Sequence, residues 1–273
     1  IGEGRRVVHC RILLIEEPRD HFHNLRIARG HSHDVLQSAE NRATRVTKES
    51  NLRIVVWIFI RRLNCGLSLG GRFITGEDMN VCVGDVEAMR SETPFVVGKA
   101  RSHGGSDDPG EFTAQGCIAA MRAALRVAFG TDSFIGRRLV IQGIGDVGMP
   151  LARMARKLGA QLVVCDPRPF PIVDARQELA AEVVDDLDAI YSVSGDIFVP
   201  CARGGILNDE TIPQLQCPIV VGSANNQLAE PSRHGGMLVE RGILYGPDFV
   251  VNAGGATAVA DELLPGGFNL ERT

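Results

Sequence analysis

Three glycines in the run Gly143-Ile-Gly-Asp-Val-Gly148 stand at the spacing G-x-G-x-x-G, a spacing that can cradle a phosphate. Gly143 permits a tight turn, Gly145 lets the backbone approach a pyrophosphate, and Gly148 lets a helix pack closely on a strand. Asp146 and Val147 lie between them in the same loop. In a chain with 31 glycines this spacing is a weak signal by itself, so its context decides the reading. The glycines follow Arg138-Leu-Val-Ile-Gln142, which reads as a buried strand, and open a helical stretch through Leu158. A second apolar run, Gln161-Leu-Val-Val-Cys-Asp166, ends on an acid 23 residues beyond Gly143. A carboxylate there accepts hydrogen bonds from ribose hydroxyls and repels a 2′-phosphate, which favours NAD. Arg168 keeps NADP open, because an arginine near this position can hold that phosphate. The competing reading is a domain of the same shape whose glycines serve packing alone.

Those residues need a parallel sheet to position them. From Arg137 onward, β-branched runs alternate with helical stretches, the pattern of βαβ units. Further strands are predicted at Asp196-Ile-Phe-Val-Pro-Cys201, Ile219-Val-Val-Gly222 and Phe249-Val-Val-Asn252. Helices are predicted near 174–182, 209–215, 231–240 and 256–264, and an alanine-rich helix over 113–129. The fold class is therefore α/β: a Rossmann dinucleotide-binding domain over 100–273, preceded by an incomplete N-terminal α/β substrate and oligomerisation domain over 1–99. Residues 102–110, rich in Gly, Ser and Asp, read as a loop or linker. No internal repeat is present.

Composition excludes several function classes. With 273 residues, 44% hydrophobic and 23% charged, the chain is long enough to bury a core and fits neither disorder nor a membrane protein. A formal charge of −4 provides no attraction for nucleic acid or an anionic membrane, which leaves small molecules and proteins as partners. Seven cysteines, an odd number without a C-x-x-C pair, argue against a disulfide framework and a zinc knuckle and favour the cytoplasm. The longest apolar run, 54–60, is far too short to span a bilayer, and the arginine-bearing first 30 residues do not read as a signal peptide. Residues 1–72 hold twelve of the 26 arginines and five of the seven histidines with almost no sustained period. His21, His23, His31 and His33 form two H-x-H pairs, but no carboxylate pattern supports them, and no metal is expected.

Longer segments make the chain recognisable: Gly71-Arg-Phe-Ile-Thr-Gly-Glu-Asp-Met79, Gly204-Gly-Ile-Leu-Asn-Asp-Glu-Thr-Ile-Pro-Gln-Leu215, Gly222-Ser-Ala-Asn-Asn-Gln-Leu228 and Gly242-Ile-Leu-Tyr-Gly-Pro-Asp-Phe-Val-Val-Asn-Ala-Gly-Gly255. With Asp196-Ile-Phe-Val-Pro-Cys-Ala202, they make residues 72–273 resemble the glutamate/leucine/phenylalanine/valine family of amino-acid dehydrogenases, most closely the leucine and phenylalanine members. The resemblance implies NAD-dependent oxidative deamination of an L-amino acid to a 2-oxo acid and ammonia, in a family that forms homo-oligomers through its substrate domain. It implies acid/base work for Asp78, and cofactor contacts for Thr113, Cys201, Ala202, Ala224 and Asn225. Asn226 and Asn252 are implied at the substrate, Asn226 on its carboxylate. Ala256 and Val259 match the positions lining the side-chain pocket. Both are apolar, so a γ-carboxylate there would be buried unpaired, and a branched aliphatic or aromatic amino acid fits better.

The sequence also departs from that family. The family uses one lysine in an M-T-x-K segment and another in a G-G-x-K segment. Here the three lysines are Lys48, Lys99 and Lys157, and Gly70-Gly71 is followed by Arg72-Phe73. Asn80 and Val81 replace the usual glycine and threonine after Asp78. Arg5-Arg-Val-Val-His-Cys10 resembles the family's opening strand, whereas 12–63 resemble nothing in it, which reads as an out-of-frame or deleted segment. The family's C-terminal helices would follow Asp261-Glu-Leu263. Two functional expectations result: a dehydrogenase of reduced turnover, or a non-catalytic NAD-binding or subunit-interaction homologue.

Overall fold

A computed structural model of the chain describes residues 69–78 and 81–273. The expectations for the histidine pairs, Lys48, Asn80, the opening strand and residues 12–63 lie outside the described residues. The chain divides into two compact units, 1–108 and 109–273. The sequence reading places this division nine residues earlier, at 99/100.

In the first unit, Thr75 bridges Val96 in parallel, and helix α1 spans Val83–Arg90. Val86, Met89 and Val96 pack together into a small core. Asp78 sits on the loop between the bridge and α1, where its carbonyl accepts from the Val81 N–H at 2.9 Å. At the head of α1, the Asp85 carboxylate accepts from the Cys82 N–H at 2.9 Å, which satisfies a donor left over at the helix start.

The second unit is built on six parallel strands: β1 Arg138–Gln142, β2 Gln161–Cys165, β3 Glu182–Val183, β4 Ile197–Pro200, β5 Ile219–Val220 and β6 Leu244–Tyr245. Their spatial order is β3-β2-β1-β4-β5-β6, the order of a Rossmann dinucleotide-binding sheet. Along the central strands successive residues feed opposite faces, as the two-residue period requires. Leu139, Ile141, Leu162, Val164, Ile197 and Val199 enter one core, while Val140, Val163, Phe198 and Val220 enter the other. Both faces are covered, which explains why these strands read as unbroken apolar runs.

Helix α2 Gly110–Phe129 and helix α3 Gly148–Lys157 lie over the first face, joined by α4 Pro169–Leu179. The rest of the unit carries α5 Pro231–Glu240, a short α6 Asp248–Val251 and α7 Ala253–Asp261.

Four boundaries correct the sequence reading. Phe249-Val-Val-Asn252 is not a strand: Pro247 sets φ at −58° ahead of α6, and of its three apolar side chains only Val251 is buried. The last strand is instead Leu244–Tyr245, too short for a period to reveal. Residues 209–215 contain only a 3₁₀ turn, Ile212–Gln214, because Asn208 and Thr211 bond locally to the backbone around it. Helix α4 begins five residues earlier than predicted, since Pro169 suits a first helical turn that lacks N–H acceptors anyway.

Candidate functional site

The strand order reverses between β1 and β4, which flank each other while their connections leave in opposite directions. Ligands of open α/β sheets lie in the crevice at that point, outside the carboxyl ends of the strands. The loops reaching it follow β1, β2, β4 and β5.

After β1 the Gly143 N–H donates to the Cys165 carbonyl at 2.8 Å, and φ is +96°. A Cβ on Gly143 would lie 2.9 Å from the Cys201 carbonyl oxygen and 3.0 Å from the Ala202 Cβ. One on Gly148 would collide with the Gly143 carbonyl. Gly145 differs: a Cβ there would meet only the Arg168 guanidinium, at 3.2 Å. The backbone at Gly145 is therefore open to approach at the head of α3, where N–H groups favour an anion. Asp146 is exposed at the loop tip and Val147 half-buried just before α3. By shape and chemistry this cradle fits a pyrophosphate.

Asp166, one residue past β2, is bound by the protein itself. Its carboxylate accepts from the Ile144 N–H at 2.9 Å and from the Arg168 N–H at 2.9 Å. The Arg168 side chain adds donors at 2.9 and 3.0 Å. Burial pushes Asp166 up, but the hydrogen bonds from Arg168 and Ile144 outweigh it and hold the carboxyl below its ordinary value. Beneath the loop, burial pushes the Cys165 thiol up to about 11.

At the end of β4, Cys201 is half-buried and Ala202 exposed. The Cys201 N–H donates to the Gln142 carbonyl at 2.8 Å, which ties this loop to the one after β1. Burial pushes the Cys201 thiol up, against hydrogen bonds with Ser223.

The loop after β5 starts at Gly222, packed so tightly on Pro200 that no side chain fits. The Ala224 N–H donates to the Pro200 carbonyl at 2.9 Å, and Ala224 is buried. Asn225 and Asn226 stand exposed at its tip. Asn226 adopts φ +50°, a conformation that asparagine tolerates better than most side chains. Its N–H donates to the Asp248 carboxylate at 2.6 Å. The Asn252 amide donates to the Ser223 carbonyl at 3.0 Å and to the Asn225 side-chain oxygen at 2.5 Å. From below, buried Gln227 donates to the Gly222 and Ala224 carbonyls at 2.8 and 2.9 Å.

Thr113, on α2, meets the turn after α6. A Cβ on Gly255 would overlap the Thr113 hydroxyl and one on Gly254 the Phe112 carbonyl, so the paired glycines bring α7 against α2. The Thr113 hydroxyl donates to the Pro109 carbonyl at 3.1 Å. Ala256 is exposed and Val259 half-buried, three residues apart on one side of α7.

The crevice thus gathers Gly143, Gly145, Asp146, Val147, Gly148, Asp166, Cys201 and Ala202, with Ala224 and Asn225 continuing along the β5 loop into Asn226 and Asn252. Asp78 belongs to the other unit. Sequence reasoning missed Asp248 and Gln227, which shape the asparagine loop. Gln227 stood in the matched Ser-Ala-Asn-Asn-Gln run, whereas no local signal pairs Asp248 with a residue 22 positions away. Among the described residues no group of three or more His, Cys, Asp or Glu is placed to hold a metal, and no helix is long and apolar enough to cross a membrane.

Comparison with known proteins places the chain in a family. The Glutamate/Leucine/Phenylalanine/Valine dehydrogenase family model matches residues 104–175 and 168–265. Leucine dehydrogenase of Geobacillus stearothermophilus is 47% identical over 204 residues, 75% of this chain and 54% of the relative. Phenylalanine dehydrogenase of Lysinibacillus sphaericus is 48% identical over 209 residues, 75% of this chain and 54% of the relative. The crystal structure of L-tryptophan dehydrogenase from Nostoc punctiforme superposes with a TM-score of 0.63 at 38% identity, covering 78% of this chain and 60% of that one. The chain belongs to the Glutamate/Leucine/Phenylalanine/Valine dehydrogenase family. It spans about half the length of the curated relatives it matches.

Proposed function

We propose that this chain is an NAD-dependent dehydrogenase of apolar L-amino acids, of leucine, valine or phenylalanine type, acting in the cytoplasm as a homo-oligomer. The observation that carries the reading is the continuity of two loops at one end of the sheet: the glycine cradle after β1 and the asparagine loop after β5, joined through Cys201 and Ala224. The similarity to leucine and phenylalanine dehydrogenases supports the substrate class.

When bound, NAD supplies the acceptor for the hydride lost from the substrate's α-carbon. The chain's own residues do the rest. The Gly143–Gly148 loop offers backbone N–H groups to the pyrophosphate, and Thr113 and Asn225 orient the cofactor. Asn226 donates to the substrate carboxylate, with Asn252 bracing the loop. Ala256 and Val259 give the side chain an apolar wall. A charged side chain would be left unpaired against that wall, a penalty that disfavours glutamate. Asp78 takes up and returns the protons that amine and water exchange as the imine is hydrolysed to 2-oxo acid and ammonia.

Without lysines in the M-T-x-K and G-G-x-K positions, turnover is lower, by about 10²–10³ for the loss of one electrostatic group at the reacting carbon. The test is NADH formation with L-leucine, L-valine and L-phenylalanine alongside calorimetric NAD binding. Ammonia and 2-oxo acid appearing in step with NADH are expected, with Asp78→Asn lowering kcat by about 10²–10⁴. NAD binding with no turnover on any of the three would assign the chain to the non-catalytic class.

A further inference from the structure

The acceptor positions of Asp166 are already taken. An ionised carboxylate offers about four lone-pair sites. Oδ1 accepts from the Arg168 N–H and Nε, both at 2.9 Å, and Oδ2 accepts from the Ile144 N–H at 2.9 Å and Arg168 Nη2 at 3.0 Å. Two of those four donors belong to one guanidinium. The Asp166 side chain is 4% exposed and that of Arg168 54%, so a ligand arriving from solvent meets the cation first. Arg168 Nη2 also lies 3.4 Å from the Ile144 carbonyl and 3.2 Å from where a Cβ on Gly145 would stand. The guanidinium thus sits between the acid at the end of β2 and the phosphate cradle.

This arrangement acts in opposite directions on two ligands. A hydroxyl of the unmodified NAD ribose reaches an Asp166 oxygen only by displacing a donor already on it, and the Arg168 side chain supplies one such donor on each oxygen. A ribose bearing a 2′-phosphate finds the acid's charge paired and a planar, forked cation facing outward, the geometry that suits phosphate.

We infer that Arg168 sets dinucleotide choice in this chain: it closes Asp166 against the NAD ribose and receives the 2′-phosphate of NADP, so that both dinucleotides bind. The inference rests on the dinucleotide reading above and deepens it. No turnover is needed to test it.

The experiment is calorimetric titration of the 273-residue chain, and of Arg168→Ala and Arg168→Lys, with NAD⁺ and with NADP⁺. The unchanged chain is expected to bind both with Kd values within about tenfold. Arg168→Ala is expected to weaken NADP⁺ by about tenfold or more while tightening NAD⁺ several-fold, the loss matching one charge-assisted contact. Arg168→Lys keeps the charge without the fork and should fall between. Added salt should weaken NADP⁺ more than NAD⁺ in the unchanged chain only. Both affinities moving in the same direction would reduce Arg168 to a structural part and overturn the inference, as would thousandfold exclusion of NADP⁺ by the unchanged chain. Neither dinucleotide binding, in a preparation that unfolds cooperatively, would overturn the dinucleotide reading itself.

Discussion

The loop after β1 and the loop after β5 lie at the same end of one sheet and are held by different means. In the first, shape comes chiefly from side chains that are missing: a Cβ at Gly143 or Gly148 has nowhere to go, and the loop is tied to its neighbours by backbone bonds and by the Asp166 carboxylate on the Ile144 N–H. In the second, shape comes from side chains that reach across the chain, Asp248 to Asn226, Asn252 to Asn225, and Gln227 from beneath. A turn made by steric exclusion is stiff and fails abruptly. One made by hydrogen bonds between polar tips fails in steps, one bond at a time.

Substitutions separate the two cases. Gly148→Ala drives a methyl group into the Gly143 carbonyl and is expected to cost about 3 kcal/mol in chemical denaturation, together with dinucleotide binding. Gly236→Ala is the control, because nothing stands within 4 Å of a Cβ there and the residue lies inside α5. It should be neutral or stabilise by about 0.5–1 kcal/mol. Equal losses at the two glycines would break the steric account.

In the second loop, Asp248→Ala removes the acceptor from the Asn226 N–H, and a loss of about 1–2 kcal/mol is expected. Its sharper signature is selective: the KM for the amino acid should rise while the NAD Kd stays put. A change in both would mean that the two loops move as one.

A smaller change is expected in the acid limb of stability. The folded pKa of Asp166 is below its unfolded value, so its contribution is present above about pH 4 and drains away as pH falls through the lower folded value. Asp166→Asn should flatten urea-midpoint curves over that acid range and leave their slope above pH 5 unchanged.

The smallest effect is a labelling pattern. Burial raises the Cys165 thiol to about 11 and the Cys217 thiol to about 12, whereas Cys82 is exposed. Mild iodoacetamide treatment should therefore modify Cys82 and spare the other two until urea is added. Native-state labelling of Cys165, directly under Gly143, would show that the first loop opens far more readily than its packing allows.

Residue by residue, the chemistry was readable where it depended on neighbours in sequence. The span Arg138–Gln142 could be predicted to the residue because a parallel strand buried on both faces is apolar through its middle, here Leu139-Val-Ile141, and polar residues bound it. The glycine spacing, with Asp166 at the end of the next strand, announced the crevice for the same reason. Phe249-Val-Val had equal strand propensity but lies after Pro247 with two of its three apolar side chains in solvent, and it formed a helical turn. Propensity loses there because burial, which gives a strand its stability, is absent.

The sequence by itself therefore determined the sheet's central strands, the cradle and the family to which the chain belongs, all of which rest on short-range steric and apolar patterns. Only the tertiary structure decided that Asp166 spends its lone pairs on Arg168, that Asp248 holds Asn226 at positive φ, and that Gly254 and Gly255 bring α7 onto Thr113. Each of these depends on atoms meeting in space. A carboxylate's partner is set by which donor folding leaves within about 3 Å of it, and residue type alone does not specify that distance.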